Sequence, residues 1–179
     1  MTHLVEKHKL NPTIQFRHAK VKEIGNITKE EYIQDWQIKV TQVNKLKYFH
    51  KIKSDYKLAP YLTEISNYGQ RKLLTRYRIS DHSLCVETGR HKPSWRAREF
   101  RLCSHCTDGV VEDELHFLTQ CSKYKHIRDT YFTLIAQILP QLQQASLIDK
   151  LSYILGEKEE CVLLAAQYVS SCHHMRDKG

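Results

Sequence analysis

Residues 102–121 read LCSHCTDGVVEDELHFLTQC, and this stretch carries the strongest structural signal in the chain. It contains the pattern C-x2-C-x9-H-x4-C, formed by Cys103, Cys106, His116 and Cys121. Two thiols separated by two residues can hold one ion from a tight turn, and the following Thr-Asp-Gly supplies a reversal that brings the chain back. Three sulfur ligands and one imidazole complete a closed tetrahedral zinc site with no position left for water. The sequence therefore predicts a structural Zn²⁺ ion.

A short helix is expected behind the reversal, over residues 110–120, with three acidic residues, 112–114, in a first turn where the helix dipole favours negative charge. His116 would lie on one side of this helix and Cys121 near its end. His105 is an alternative ligand, although we expect its side chain to face solvent. Structural zinc of this kind contributes on the order of 10–16 kcal/mol to folding, which would hold a segment whose own core is small.

The rest of the chain predicts a mainly α-helical domain with little or no sheet, in which the CCHC zinc knuckle is embedded. Apolar residues recur three and four apart, and no run alternates with period two. Thr28 and Glu31 form a capping-box pattern that predicts a helix start. Further helices are expected over residues 70–78, 124–138, 147–155 and 157–175. Gly156 should close the third of these, and Val162, Ala165, Ala166 and Val169 should form the inner stripe of the fourth. The predicted organisation is a loosely ordered segment 1–27, a basic helical region 28–101, the knuckle 102–121 and a C-terminal helical region 122–179.

The composition excludes several classes of protein. Apolar residues make up 41% and charged residues 27% of the chain, which are the proportions of a globular domain rather than a disordered one. Six cysteines in 179 residues are too few for a disulfide scaffold, which favours a reducing, intracellular setting in the nucleus or cytoplasm. No apolar stretch is long enough to span a membrane, and the N-terminus lacks the pattern of a secretory signal.

The net charge of +8 is unevenly distributed. Residues 70–101 hold 9 basic and 3 acidic residues, a net charge of +6, whereas residues 102–121 hold 4 acidic residues and no Lys or Arg. A basic block of this kind is either a solvated face or a phosphate-binding surface for RNA or DNA. Trp95 within it would stack on an unpaired base or pack against the knuckle. The candidate phosphate contacts are Arg71, Lys72, Arg76, Arg78, Arg90, Lys92, Arg96, Arg98 and Arg101.

The stretch from Leu73 to Cys121 resembles the zinc-binding region that follows the polymerase in non-LTR (LINE-type) retrotransposon reverse transcriptases. The most specific part of the resemblance is the string VETGR at residues 86–90 paired with the CCHC pattern; Val86 stands where the family string has Ile. The segments 74–82, 101–106 and 112–124 also carry the likeness. It covers most of the chain, from about residue 30 to the end.

The resemblance implies a module, derived from the C-terminal end of a reverse transcriptase, that grips RNA or DNA. The polymerase signature Tyr-x-Asp-Asp is absent, so we expect no enzymatic activity. Ser80-Asp81-His82 matches a string that ends apurinic-type endonuclease domains, but the β-sandwich that such chemistry requires is missing, which favours a capping loop. The alternative is a structural remnant that packs on a reverse transcriptase or another partner protein without binding nucleic acid.

Overall fold

A computed structural model describes residues 18–53 and 55–178. The chain divides into two compact units, Met1–Lys39 and Val40–Gly179. The described part is mainly helical, as the sequence predicts, and its only strand pairing is one antiparallel bridge between Leu102 and Val111. None of the described helices combines the length and the apolar character needed to cross a membrane.

Eight α-helices are present in the described residues. They are α1 His18–Gln42, α2 Phe49–Ile52, α3 Tyr61–Glu64, α4 Tyr68–Arg78, α5 Cys85–Thr88, α6 Lys125–Ile138, α7 Leu147–Ser152 and α8 Val162–Asp177. Short 3₁₀ turns cover Asn44–Leu46, Arg98–Phe100, Ser122–Tyr124, Pro140–Leu142 and Glu159–Cys161. Two wider π-helical turns cover His116–Gln120 and Tyr153–Glu157.

Helix α1 begins earlier than the sequence predicts. Thr28 does not cap its N-terminus, because the Thr28 hydroxyl donates to the carbonyl of Ile24, one turn back inside the same helix. A hydroxyl satisfied in this way tolerates a helix interior. The segment 1–27, predicted to be loosely ordered, is therefore helical from His18 onward, and residues 1–17 lie outside the described part of the chain.

The core of the second unit is assembled from distant parts of the sequence. Helix α4 starts at a cap formed by Asn67, whose side chain accepts from the Gln70 amide at 3.1 Å. It buries Leu74 and Tyr77, as its apolar spacing predicts. One continuous cluster of buried residues extends from Tyr48 to Cys172. The knuckle segment shares this cluster, so the helices on both sides contribute to its packing.

Helix α8 presents the predicted inner stripe to this core. Val162, Ala165, Ala166 and Val169 are all buried. Helix α7 starts at Ser146, whose hydroxyl accepts from the Asp149 amide at 3.2 Å, and ends through the π-helical turn 153–157. Gly156 in that turn has φ +90°, in agreement with the predicted glycine stop.

Gly156→Ala should destabilise the second unit. A β-carbon at this position would lie 2.9 Å from Cβ of Tyr61, and a left-handed residue other than glycine costs about 1–2 kcal/mol in addition. We expect a total loss of roughly 2–3 kcal/mol in the free energy of unfolding, measured by urea denaturation. Gly109→Ala is the matched control, because φ is +64° there and a β-carbon would meet no atom within 4 Å. Equal losses for the two variants would contradict the close packing against Tyr61.

Candidate metal centre

A short hairpin presents the first two thiols. The bridge between Leu102 and Val111 is extended by two backbone hydrogen bonds, from the Cys103 amide to the Val110 carbonyl at 2.8 Å and from the Glu112 amide to the Arg101 carbonyl at 2.9 Å. Gly109, with φ +64°, supplies the reversal that the sequence predicts. Cys103 is thereby held in the hairpin arm and Cys106 in its loop.

The helix behind the hairpin starts four residues later than predicted, at residue 114 instead of 110. Val110 and Val111 are extended because they pair with the opposite arm of the hairpin. Asp113 caps the helix: its Oδ1 accepts from the His116 amide at 3.1 Å, and its carbonyl accepts from the Phe117 amide at 2.9 Å. Asp is one of the residues preferred at a helix N-cap, so the sequence contained this signal.

A π-helical turn aligns the second pair of ligands. The Cys121 amide donates to the His116 carbonyl at 2.8 Å, five residues back, so one wide turn separates the two side chains. Arg128 in α6 donates to the Cys121 carbonyl at 2.9 Å and to the Gln120 carbonyl at 3.2 Å. These bonds use the carbonyl groups that a helix end leaves without partners.

The predicted ligand atoms converge on one point. The sulfur and nitrogen atoms of Cys103, Cys106, His116 and Cys121 all lie within 4.8 Å of one another. Cys103 Sγ is 4.0 Å from Cys121 Sγ, and Cys106 Sγ is 3.3 Å from His116 Nε2. Tetrahedral bonds of about 2.3 Å place two sulfurs about 3.8 Å apart, so this cluster could hold a metal ion.

His105 is not a member of the cluster. Its Nε2 lies 3.9 Å from Oε1 of Glu112, and only 16% of its side chain is exposed. The expectation that it faces solvent is therefore wrong. The hairpin turns it towards a buried carboxylate instead.

Burial shifts the pKa values of Cys106, His116 and Cys121 towards their uncharged forms. It raises the pKa of the Cys121 thiol to about 12 and the pKa of Cys106 above its usual value, and the neighbouring sulfurs add to the effect. Burial also lowers the pKa of His116, which favours the neutral imidazole that metals bind. Each thiol that coordinates a metal would have to release its proton.

Glu112 forms a buried ion pair below the hairpin. Its carboxylate is fully buried and accepts from Arg176 of α8 through Nε and Nη2, both at 3.0 Å, and from the Cys85 amide at 2.8 Å. Burial alone would raise the pKa of Glu112, but Arg176 and the Cys85 amide outweigh it and hold the pKa below its usual value. Glu112 was predicted to lie in the first turn of a helix, and no sequence pattern connects it with a residue 64 positions away.

The other two acidic residues of the segment are buried as well. Asp113 Oδ2 accepts from the Tyr48 hydroxyl at 2.6 Å and from Arg98 Nη2 at 2.7 Å. Glu114 accepts from the Ser80 hydroxyl, and His82 Nε2 lies 2.9 Å from the same oxygen.

The Ser-Asp-His string is accordingly a loop with separate structural contacts. Ser80 adopts a positive φ of 54° and is held by Glu114. Asp81 is exposed, and its carboxylate lies 3.8 Å from Arg76 Nε. His82 is buried and stacks on Tyr77, with ring centroids 5.1 Å apart.

Two of the predicted phosphate contacts lie inside the protein. Arg78 is 3% exposed, donates to the Leu155 carbonyl at 2.5 Å and lies over the ring of Tyr61 at 5.0 Å, which removes it from a phosphate-binding surface. Arg101 is 9% exposed and donates to the carbonyls of Val86 and Arg96. Both guanidiniums can be buried because backbone carbonyl groups accept their hydrogen bonds.

The other predicted contacts fall into two groups. Lys72, Lys92, Trp95 and Arg96 are exposed. The half-buried members all have partners: Arg71 donates to the Ile65 and Ser66 carbonyls, Arg76 to the Asp81 carbonyl, Arg90 to Glu87 and Arg98 to Asp113. The loop 91–96 is therefore the most open part of the predicted surface.

Arg176→Met should cost about 3–5 kcal/mol in the free energy of unfolding at neutral pH, because it leaves the Glu112 carboxylate buried without its partner. The pair holds the folded-state pKa of Glu112 below its unfolded value of about 4.3, so its contribution is fully present above that pH and lost as the pH falls through the folded pKa. The difference between wild type and variant should therefore shrink on acidification.

Lys125→Met is the matched control for Arg176→Met, since it removes a cation from an exposed pair with Asp129. It should change stability little at any pH. A difference between wild type and Arg176→Met that stays constant from neutral to acidic pH would contradict the role of the ion pair. Denaturant titrations followed by circular dichroism provide the measurement.

Comparison with family models, with curated proteins and with solved structures finds no match for this chain.

Proposed function

We propose that the chain is a non-catalytic nucleic-acid-binding module whose knuckle is stabilised by Zn²⁺. The observation that carries the proposal is the convergence of Cys103, Cys106, His116 and Cys121, in a segment that follows the exposed basic loop 91–96 in sequence. The resemblance to the C-terminal region of LINE-type reverse transcriptases points to the same function.

The donor set supports zinc as the metal. Three sulfurs and one imidazole match the Cys₃His sites in which zinc is four-coordinate. Soft thiolate ligands disfavour magnesium and calcium, which take oxygen. Because all four positions come from the protein, the ion would hold the hairpin against the helix and leave no site for a reactive water.

The loop 91–96 supports binding to nucleic acid. Lys92 and Arg96 are exposed, and Trp95 between them is 63% exposed, so its ring is available to an unpaired base. The loop is anchored at its end, where the Arg96 amide donates to the Gly89 carbonyl at 2.9 Å and the Arg96 carbonyl accepts from Arg101. Cations on a closed loop lose little freedom when they contact phosphates.

A partner protein is the second candidate ligand. The segment 58–68 exposes Leu58, Leu62 and Tyr68, with exposed fractions of 68%, 43% and 69%. Exposed apolar side chains close together in sequence are a feature of protein contacts. The salt titration below separates the two candidates, because phosphate binding weakens steeply as salt increases, whereas the burial of apolar side chains does not.

The purified chain should contain one zinc ion, measured by native mass spectrometry. Cys103→Ser, Cys121→Ser or His116→Ala should release the ion and unfold the knuckle. The reason is that the variant loses the zinc-binding free energy, which is on the order of 10–16 kcal/mol for a structural site. The control is Cys161→Ala, since Cys161 is buried outside the cluster. Zinc retained stoichiometrically by a variant with two ligands replaced would refute the ligand assignment.

Binding to a single strand should depend steeply on salt. If about six phosphates are contacted, log K falls with log salt at a slope of roughly −4, or roughly 300-fold between about 50 and 200 mM. Lys92→Gln combined with Arg96→Gln should weaken binding and reduce the slope by about 1.4. Fluorescence anisotropy with labelled oligonucleotides gives both quantities.

Lys125→Gln combined with Lys178→Gln is the control for this titration. It removes the same charge from α6 and from the residue after α8, and both lysines are exposed. It should leave the slope nearly unchanged. A wild-type slope near zero would exclude the nucleic-acid function and favour the partner protein.

A further inference from the structure

A basic groove in the second unit adjoins the loop 91–96 in sequence. It encloses about 440 Å³, and its two walls are the segments 41–50 and 90–101. It is lined by Thr41, Val43, Asn44, Leu46, Lys47, His50, Arg90, Arg98 and Arg101. None of the described residues of this lining carries a carboxylate. The groove was not predicted, because its walls are about fifty residues apart along the chain.

Two buried carboxylates, those of Asp113 and Glu87, each contact residues of both walls. Asp113 accepts from Tyr48 of one wall and Arg98 of the other. Glu87 lies 2.6 Å from Arg90 Nε and 3.9 Å from Lys45 Nζ. Both carboxylates are nearly inaccessible, so they position the cations without facing the groove.

The positive charge of the groove exceeds what these carboxylates neutralise. The groove is lined by four permanent cations, Lys47, Arg90, Arg98 and Arg101. Only two carboxylates, Asp113 and Glu87, form ion pairs with them in the described part of the chain. Among the described residues, no carboxylate lies within ion-pair distance of Arg101. Burial, together with the charges of Arg90 and Arg98, lowers the pKa of Arg101, which indicates a positive field that is only partly compensated.

The guanidiniums also keep donors for a ligand. Arg90 uses Nε for Glu87, and Arg98 uses Nη2 for Asp113, so each has further N–H groups in its planar fork. Such a fork matches the oxygens of a phosphate, and Lys47, with half of its side chain exposed, adds a flexible charge. The lining of this groove therefore matches the chemistry of an anion with several phosphate groups.

We propose that this groove binds successive phosphates of a nucleic-acid strand whose bases reach the loop 91–96. The inference rests on the proposed nucleic-acid function and extends it to a site formed by Lys47, His50, Arg90 and Arg98, to which the buried Arg101 adds positive charge without contacting the strand. Residues 41–50 become a second contact region for the strand. The knuckle segment contributes indirectly, because Asp113 joins both walls.

The test introduces a negative charge without removing a structural contact. Asn44 lines the groove and is exposed at the start of a 3₁₀ turn, where an acidic residue is compatible with the backbone. Asn44→Glu should weaken binding of a labelled single-stranded oligonucleotide about fivefold at low salt, the size of one unit-charge repulsion across about 4 Å of water. The effect should shrink as salt increases.

Asn44→Gln is the matched control, because it has the length of glutamate without its charge. It should bind like the wild type, and the zinc content of both variants should equal that of the wild type. Equal affinities of Asn44→Glu and Asn44→Gln, with wild-type binding intact, would overturn the groove but leave the proposed function standing. Absence of any wild-type binding would overturn both.

Inorganic tripolyphosphate serves as a second probe. If a strand occupies the groove, tripolyphosphate should compete for it, but with a lower affinity than the oligonucleotide, which also contacts the loop 91–96. Tripolyphosphate that binds as tightly as the oligonucleotide, with the same sensitivity to Asn44→Glu, would show a site for free polyphosphate and refute the strand assignment.

Discussion

Glu112, Asp113 and Glu114 are consecutive and buried, and each carboxylate is bonded to a different part of the second unit. Glu112 binds Arg176 near the end of the last helix, Asp113 binds Tyr48 and Arg98, and Glu114 contacts the loop after α4. Three buried charges are tolerable only where each has a partner. The knuckle segment is therefore attached to the surrounding helices through its acidic residues as well as through its apolar ones.

This attachment connects the Cys/His cluster to the basic surface. Asp113 caps the turn that carries His116, and its side chain also holds Arg98 and Tyr48 in the walls of the groove. A displacement of the helix would move both sites, because they share one residue. The carboxylates explain how a knuckle with few apolar residues of its own is part of a larger core.

The local elements were largely predictable from the sequence. The ligand spacing, the turn at Gly109, the helices α4, α6 and α8 and the glycine stop at Gly156 agree with the structure, because all depend on residues close together in the chain. The predicted start of α1 at Thr28 was wrong, because a capping-box pattern also occurs inside a helix. The start of the helix before His116 was wrong too, because pairing with the hairpin keeps Val110 and Val111 extended.

The sequence by itself determined the helical class and the set of Cys and His residues that could hold a metal ion, because the spacing of a few residues along the chain specifies both. Only the tertiary structure decided which charges are accessible. Arg78 is buried against Leu155 and Tyr61, whereas Lys47 and His50 line a groove with three arginines from a distant segment. The sequence does not show whether a charged side chain contacts a carbonyl, a carboxylate or solvent. Parts of the chain that are distant in sequence determine that environment.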